Sequence, residues 1–329
     1  MCSREGCTNG AYYLFLSSPL CGVHSRLTKL KTTKNNIIPQ CSLCPNPAIG
    51  WYQQQPYCER CTVRTNLPKR SIADRQLEQQ HRDIMIESYA KKNKQEGRRG
   101  SVIVSKMKMM KKVEHREGYL AVFPNFKHGG RTDGIGLPNL SPKAIGPIIH
   151  PQPGLPPAGN LENFWQFLKC FPSEVDINGN PLQKFFETQL KGYLDETPHR
   201  HKEEATGNIP LYILWRLPDI IVNGVVTPQY KRLSYFEARQ IYCTYYERFV
   251  TKMPEFIDLV SRLDNGYNLN LIGYDGYEVV VPEGITHKDY LEQCYKDISR
   301  PFGHELVLYT LLTEGEEGYP WRKYTTEIF

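Results

Sequence analysis

The chain has 329 residues, 40% of them apolar and 12% aromatic, with 41 Lys and Arg against 35 Asp and Glu for a formal net charge of +6. That supports a sizeable core in two or three units, and no run approaches the roughly 18 to 20 apolar residues of a membrane-spanning helix, so a soluble, intracellular protein with no membrane partner is expected. The charge is uneven: residues 1–116 carry 21 basic against 8 acidic side chains (+13) and residues 117–329 carry 20 against 27 (−7), so the amino-terminal end attracts polyanions.

The first elements in the chain are two cysteine clusters with a common spacing. Cys2, Cys7, Cys21 and His24 form one, and Cys41, Cys44, Cys58 and Cys61 the other; in both, thirteen residues separate the second member from the third and two separate the third from the fourth. The likeness extends between them. Cys7-Thr8-Asn9-Gly10-Ala11 aligns with Cys44-Pro45-Asn46-Pro47-Ala48, aromatics follow (Tyr12, Tyr13 and Phe15 against Trp51 and Tyr52), and Leu20 or Tyr57 precedes the third member. Zn²⁺ is satisfied by four thiolate or imidazole ligands in a tetrahedron, which two close pairs and an intervening loop supply. The spacing predicts a tandem repeat over residues 1–64 holding two structural zinc ions, one on three cysteines and a histidine and one on four cysteines. Metal binding would supply folding free energy that about 30 residues cannot obtain from burial alone. The alternative is a disulfide framework; against it stand the odd number of cysteines in this region, seven, the absence of a signal peptide, and Cys170, Cys243 and Cys294, scattered as free thiols are. Thiolate charge would lower the local +13 only to roughly +10.

Residues 65–117 read as a basic helix and linker. Ser71 and Asp74 suit a helix start, and Leu77, His81, Ile84, Met85 and Ser88 recur at three- and four-residue intervals, predicting an amphipathic helix of about 25 residues with those side chains on its buried face. Its basic end (Lys91, Lys92, Lys94, Arg98, Arg99) stops at Gly97 and Gly100, and a second basic group follows at Lys106, Lys108, Lys111 and Lys112. These lysines and arginines are the candidate nucleic-acid contacts; a solvated linker or a nuclear-import signal are the other readings.

The remainder, residues 118–329, reads as an α/β or α+β globular domain. Tyr119–Phe123 has the character of a buried strand. A stretch at 124–160 with eight prolines and seven glycines then reads as a functional loop or an arm packed on the surface. Residues 161–171, 181–194, 234–250, 254–263, 286–297 and 301–312 are helical in pattern, and 211–216 and 269–272 are strand-like. The aromatics of 234–250 recur at core-facing intervals.

Four groups are candidates for chemistry here. Arg131 lies among turn formers; His199, Arg200 and His201 form a cationic, titratable turn; Asp275 follows a buried strand, where α/β domains place ligand groups; and Arg300 and His304 lie at a helix start, with Arg300 suited to phosphate and His304 to acid–base work beside Asp275. Structural histidines and a plain Asp-Gly turn are the competing readings. No glycine-rich phosphate fingerprint, nucleophile elbow, HExxH motif or kinase set is present.

The amino-terminal pattern, two cysteines four residues apart, an alanine, an aromatic stretch and Cys-x-x-His, resembles a short cysteine-rich repeat of brown algae and large DNA viruses; the second copy shortens the first spacing and ends in Cys61. From about Lys106 to Tyr324 the chain resembles a domain of uncharacterised proteins of nucleocytoplasmic large DNA viruses, carried by Lys106-Met107-Lys108-Met109-Met110, Val122-Phe123-Pro124-Asn125-Phe126-Lys127-His128, Leu140-Ser141-Pro142, Asn160-Leu161-Glu162-Asn163-Phe164, Pro198-His199-Arg200-His201-Lys202, Gly273-Tyr274-Asp275, Pro301-Phe302-Gly303-His304-Glu305 and Tyr319-Pro320-Trp321. The resemblance implies a viral protein in the host cytoplasm or nucleus, or in the virion, and brings no activity with it.

The expectation is therefore an intracellular zinc-binding protein whose basic third engages nucleic acid or an acidic protein surface, beside an α/β domain of open activity. One alternative makes that domain a nucleotide- or ADP-ribose-processing enzyme. Another makes the chain a structural protein of the virion that contacts other virion proteins.

Overall fold

A computed structural model of the chain describes residues 72–107, 113–274, 276–279 and 284–324, together with the backbone of four short strands between residues 12 and 57. The chain divides into two units, Met1–Glu78 and Gln79–Phe329. The zinc-ligand set lies outside the described residues apart from the backbone of Cys21, and so do Lys108, Lys111, Lys112 and Asp275.

In the first unit the strands form two antiparallel hairpins, β1 (Tyr12–Phe15) with β2 (Ser18–Cys21), and β3 (Gly50–Tyr52) with β4 (Gln55–Tyr57). Each joins its strands through two residues, a length that fixes register. The offset of 37 that carries Cys7 to Cys44 and Cys21 to Cys58 also carries the pairs Tyr13↔Leu20, Leu14↔Pro19 and Phe15↔Ser18 onto Gly50↔Tyr57, Trp51↔Pro56 and Tyr52↔Gln55. A proline occupies the same rung in both, tolerated because a two-stranded ribbon has open edges. The repeat seen in the cysteines is thus also a repeat of backbone pairing.

The second unit begins within α1 (Ile72–Gln95), whose 24 residues match the expected length. Its buried face differs from the expected one. Leu77 and Ile84 are 67% and 65% exposed, whereas Ile86 and Ala90 are buried and Asn93 donates to the Gly266 carbonyl at 2.8 Å. Within the second unit the helix meets the fold through Ile86, Ala90 and Asn93, and there small size and an amide outweigh the periodicity of the larger apolar residues.

Asn268, Leu269, Asn270, Leu271 and Ile272 alternate amide with apolar side chains as far as Leu271, yet all are buried, as in a strand covered on both faces. They lie in β11 (Asn268–Gly273), an inner strand of a four-stranded parallel sheet of order β5-β11-β6-β7, with β5 at Val102–Lys106, β6 at Tyr119–Phe123 and β7 at Ile135–Gly136. Leu269 and Leu271 join Val102, Val104 and Val122 in the main core, while Ile272 packs with Met107, Ala121 and Phe123 on the opposite face. Residues 102–106, read above as part of a basic linker, are therefore an edge strand of the α/β unit: Val102 and Val104 are buried, and the basic runs on either side mask that short signal.

A second, antiparallel sheet of order β10-β9-β8 combines β8 (Lys169–Cys170), β9 (Tyr212–Val222) and β10 (Val225–Leu233). The turn of its long hairpin is Asn223-Gly224, with φ of 51° and 79°, the left-handed pair that matches strand twist. The helices of the unit are α2 (Leu161–Gln166), α3 (Gln183–Leu194), the single turn α4 (Lys202–Ala205), α5 (Tyr235–Val250), α6 (Pro254–Asp264), α7 (His287–Lys296), α8 (His304–Thr313) and the turn α9 (Pro320–Lys323); α5 packs on β9 and β10, and α8 packs on α5, β5 and β11. The unit is a mixed α/β fold. Ser234 and Glu237 close a capping box on α5, whose Tyr245 and Tyr246 are buried in the core as their spacing implied. The proline- and glycine-rich segment 124–160 contributes Leu140, Ile145, Ile148 and Ala158 to that core, while Phe126 and Ile149 of the same segment are exposed. Cys170, Cys243 and Cys294 are buried free thiols.

Candidate functional site: a cleft at the carboxyl ends of the parallel strands

Parallel strands all end on the same edge of their sheet, and the loops leaving that edge enclose space that the sheet itself cannot fill. Here β5 ends in Lys106 and Met107, β6 leads into Asn125–His128, and β11 leads into Tyr274. Together with Ser141–Lys143, the first turn of α8 and one side of α2 and α5 they line a cleft of about 900 Å³. Asn125 donates to the Ile272 carbonyl at 2.7 Å, and the Met107 amide to that of Gly273 at 2.7 Å, so both rims are tied to the last residues of β11.

The far wall is held by Arg239. This buried guanidinium donates to the carbonyls of Cys294, Tyr295, Asp297 and Arg300, gathering the end of α7 and the turn that precedes Pro301. The Pro301–Glu305 wall is in this way set by a side chain from α5. His304 Nε2 lies 2.9 Å from the Pro124 carbonyl and its Nδ1 lies 3.2 Å from Glu305. Each ring nitrogen thus faces an acceptor within the protein.

Six Lys or Arg side chains, five of them from residues 117–329, line the cleft against three carboxylates, although that segment is acidic as a whole. Lys169, almost fully buried, pairs with Glu204 and approaches the Trp165 ring at 5.3 Å; burial pulls its ammonium below the ordinary value, opposed by Glu204. Among the described residues Lys106, Lys127 and Lys143 make no ion pair, which leaves their charge for a ligand. Phe126, 42% exposed, stands beside Lys127 at the rim, and Tyr235, Tyr242 and Trp165 supply further aromatic wall. His128 Nε2 and the Tyr274 hydroxyl are 2.8 Å apart. Burial, and then Arg131, lower the His128 pKa from 6.5.

Of the residues singled out from sequence, His304, Arg200 and Lys106 line this cleft, and the neighbours of Asp275, Tyr274 and Gly276, line it as well. The others lie elsewhere. Arg131 makes a two-point ion pair with Asp133, at 2.7 and 2.6 Å, and covers the Phe123 ring. The Arg300 side chain lies over Tyr277. His199 bonds the Thr197 carbonyl at 2.8 Å, and His201 is buried against Phe171 and 3.2 Å from Glu174. On the basic segment Lys91 and Lys92 are exposed, Lys94 reaches Asn265, Arg98 pairs with Glu96, and Arg99 pairs with Asp264 and bonds the Leu312 carbonyl. Sequence reasoning did not single out His128, Tyr274, Lys127 or Lys169. The signal for the first three was their place in Asn125-Phe126-Lys127-His128 and Gly273-Tyr274, segments that carry the resemblance noted above, while Lys143 directly follows a third such segment, Leu140-Ser141-Pro142.

Comparison with protein-family models, with curated proteins and with solved structures finds no match to this chain. Among the described residues no helix is long and apolar enough to cross a membrane, and no group of three or more His, Cys, Asp or Glu side chains is placed to hold a metal ion.

Proposed function

We propose that the α/β unit binds a nucleotide-class ligand, a phosphate ester carrying a planar ring, in the cleft at the strand ends. One observation carries the reading: an excess of cations, three of them without an ion pair among the described residues, faces an aromatic-walled cleft whose lining, Lys106 and Met107 apart, comes from an otherwise acidic segment. Lysines compensate phosphate charge and an exposed ring such as Phe126 stacks on any base. Arg200, on the same wall, adds to the cationic side.

Titrating the full-length, zinc-loaded protein with mono- and dinucleotides, ADP-ribose, NAD and inorganic phosphate tests this by calorimetry and thermal shift, since a ligand of the folded state raises the melting temperature. Nucleotides are expected to stabilise the protein more than phosphate, and Lys127→Glu with Lys143→Glu to weaken them about tenfold or more. No stabilisation by any of these compounds would remove the reading.

A second part of the proposal concerns the head. Two hairpins in one register, set inside two cysteine clusters of one spacing, support a duplicated module with a structural zinc ion in each copy. With the basic excess of residues 1–116 this favours a polyanionic partner, nucleic acid or an acidic protein surface, for an intracellular protein of a large DNA virus. Binding of the full chain to single- and double-stranded DNA and RNA across a salt series tests it; affinity indifferent to salt would count against it.

A further inference from the structure

We propose that the cleft is a phosphodiester-transfer site in which the Tyr274 hydroxyl is the nucleophile and His128 the base that takes its proton. The proposal rests on the nucleotide-class reading of the cleft. Tyr274 directly follows the last residue of β11, an inner strand, and lines the cleft, with its hydroxyl 2.8 Å from His128 Nε2. The imidazole is fixed between two rings: its centroid lies 5.5 Å from Phe123 at 68° and 5.6 Å from Tyr274 at 63°. Its other nitrogen, Nδ1, is buried without a partner, so Nε2 is the nitrogen that exchanges protons.

The ring stays neutral near pH 7 because burial and Arg131 oppose its protonation, leaving a lone pair available to a hydroxyl. Other reactive groups of the cleft are occupied: His304 by Pro124 and Glu305, Lys169 by Glu204, and Arg239 by four carbonyls. Lys127 and Lys143 are left to compensate charge on the phosphorane oxygens.

In the step, the Oη proton of Tyr274 passes to His128 Nε2, an Oη–P bond forms, and the P–O bond to one of the two esterified alcohols breaks. The proton held on His128 returns through solvent to the departing oxygen. The products are a tyrosyl phosphodiester and a free alcohol; charge is conserved and no co-reactant is consumed. A second alcohol or water then releases the chain from Tyr274 by the reverse path.

Two probes test this with the full-length, zinc-loaded protein: a fluorescein-labelled single-stranded oligonucleotide, read as label that travels with the protein on a denaturing gel, and bis(p-nitrophenyl) phosphate, read as released p-nitrophenolate. The wild type is expected to do both, with the phosphoryl group on Tyr274 by mass spectrometry. Tyr274→Phe should abolish both while keeping nucleotide binding and melting temperature, and His128→Ala should slow release about 100-fold or more. Reaction undiminished in Tyr274→Phe overturns the proposal. So does a wild type that binds nucleotides yet yields neither adduct nor p-nitrophenolate, an outcome that leaves the binding reading standing; failure to bind any nucleotide sinks both.

Discussion

Gly273 and Glu305 meet where an inner strand ends and α8 begins, so closely that a Cβ on Gly273 would lie 2.8 Å from the Glu305 carboxyl carbon. The contact puts a buried carboxylate against the sheet edge and holds it next to His304. Gly273→Ala must displace it, and the expected cost is about 1–3 kcal/mol in urea unfolding. Gly276→Ala, where a Cβ meets open space, should change stability by less than about 0.5 kcal/mol.

Arg239 offers a second test. Arg239→Met removes every donor to the four carbonyls while keeping an apolar stem, and should cost about 2–4 kcal/mol by denaturant titration, since the bonds to Cys294 and Tyr295 are buried and water does not replace them. Arg239→Lys should recover only a minor part, because an ammonium cannot span groups that a planar fork reaches. Nucleotide affinity should fall with both variants as the Pro301–Glu305 wall loosens.

Acid sensitivity should trace in part to His150. Its ring stacks on Phe164 at 5.3 Å, Nε2 meets the Pro156 carbonyl at 3.0 Å and Nδ1 is buried without a partner; burial lowers its pKa from 6.5. The unfolded chain therefore binds more protons below pH 6.5 than the folded one does. The contribution of His150 is complete above that pH and is lost progressively as the pH falls from it towards the lower folded-state pKa. Urea midpoints taken between about pH 7 and 5 should fall for the wild type and fall less steeply for His150→Phe.

For the head, elemental analysis should find two zinc ions per wild-type chain, and one in Cys44→Ser, because loss of one thiolate opens only its own site. Chelation should abolish polyanion binding without shifting the urea midpoint of the α/β unit. Two ions retained in Cys44→Ser would refute the ligand assignment.

Legibility in the sequence followed chemistry that is local. Tyr119–Phe123 announces itself as a strand by its apolar run, Leu269–Ile272 by three apolar residues in four, and Ser234 with Glu237 marks the start of α5. The strand Val225–Leu233 gave no such sign: it alternates with polar residues, carries Pro228 and a bulge, and is defined by its pairing with β9. The short edge strand at Val102–Lys106 was hidden for a related reason, since its partner is 167 positions away in the chain and its flanks are basic, Leu269 pairing with Val102. At the site, the segments were visible but their charges were not. Arg131 reads as available in sequence, but Asp133, two residues on, accepts from its Nε and Nη2, whereas Lys127 and Lys143 face the cleft.

A chamber whose floor is main chain places unequal demands on its parts. The amide and carbonyl lattice beneath it is indifferent to which functional groups hang over the edge, so the overhanging loops can be rewritten, trading one guest for another, without renegotiating how the protein folds. Gly273 has less freedom: a side chain there enters the space that the Glu305 carboxylate fills, so a change at the end of β11 carries through to the first turn of α8 and the wall that His304 and Glu305 form.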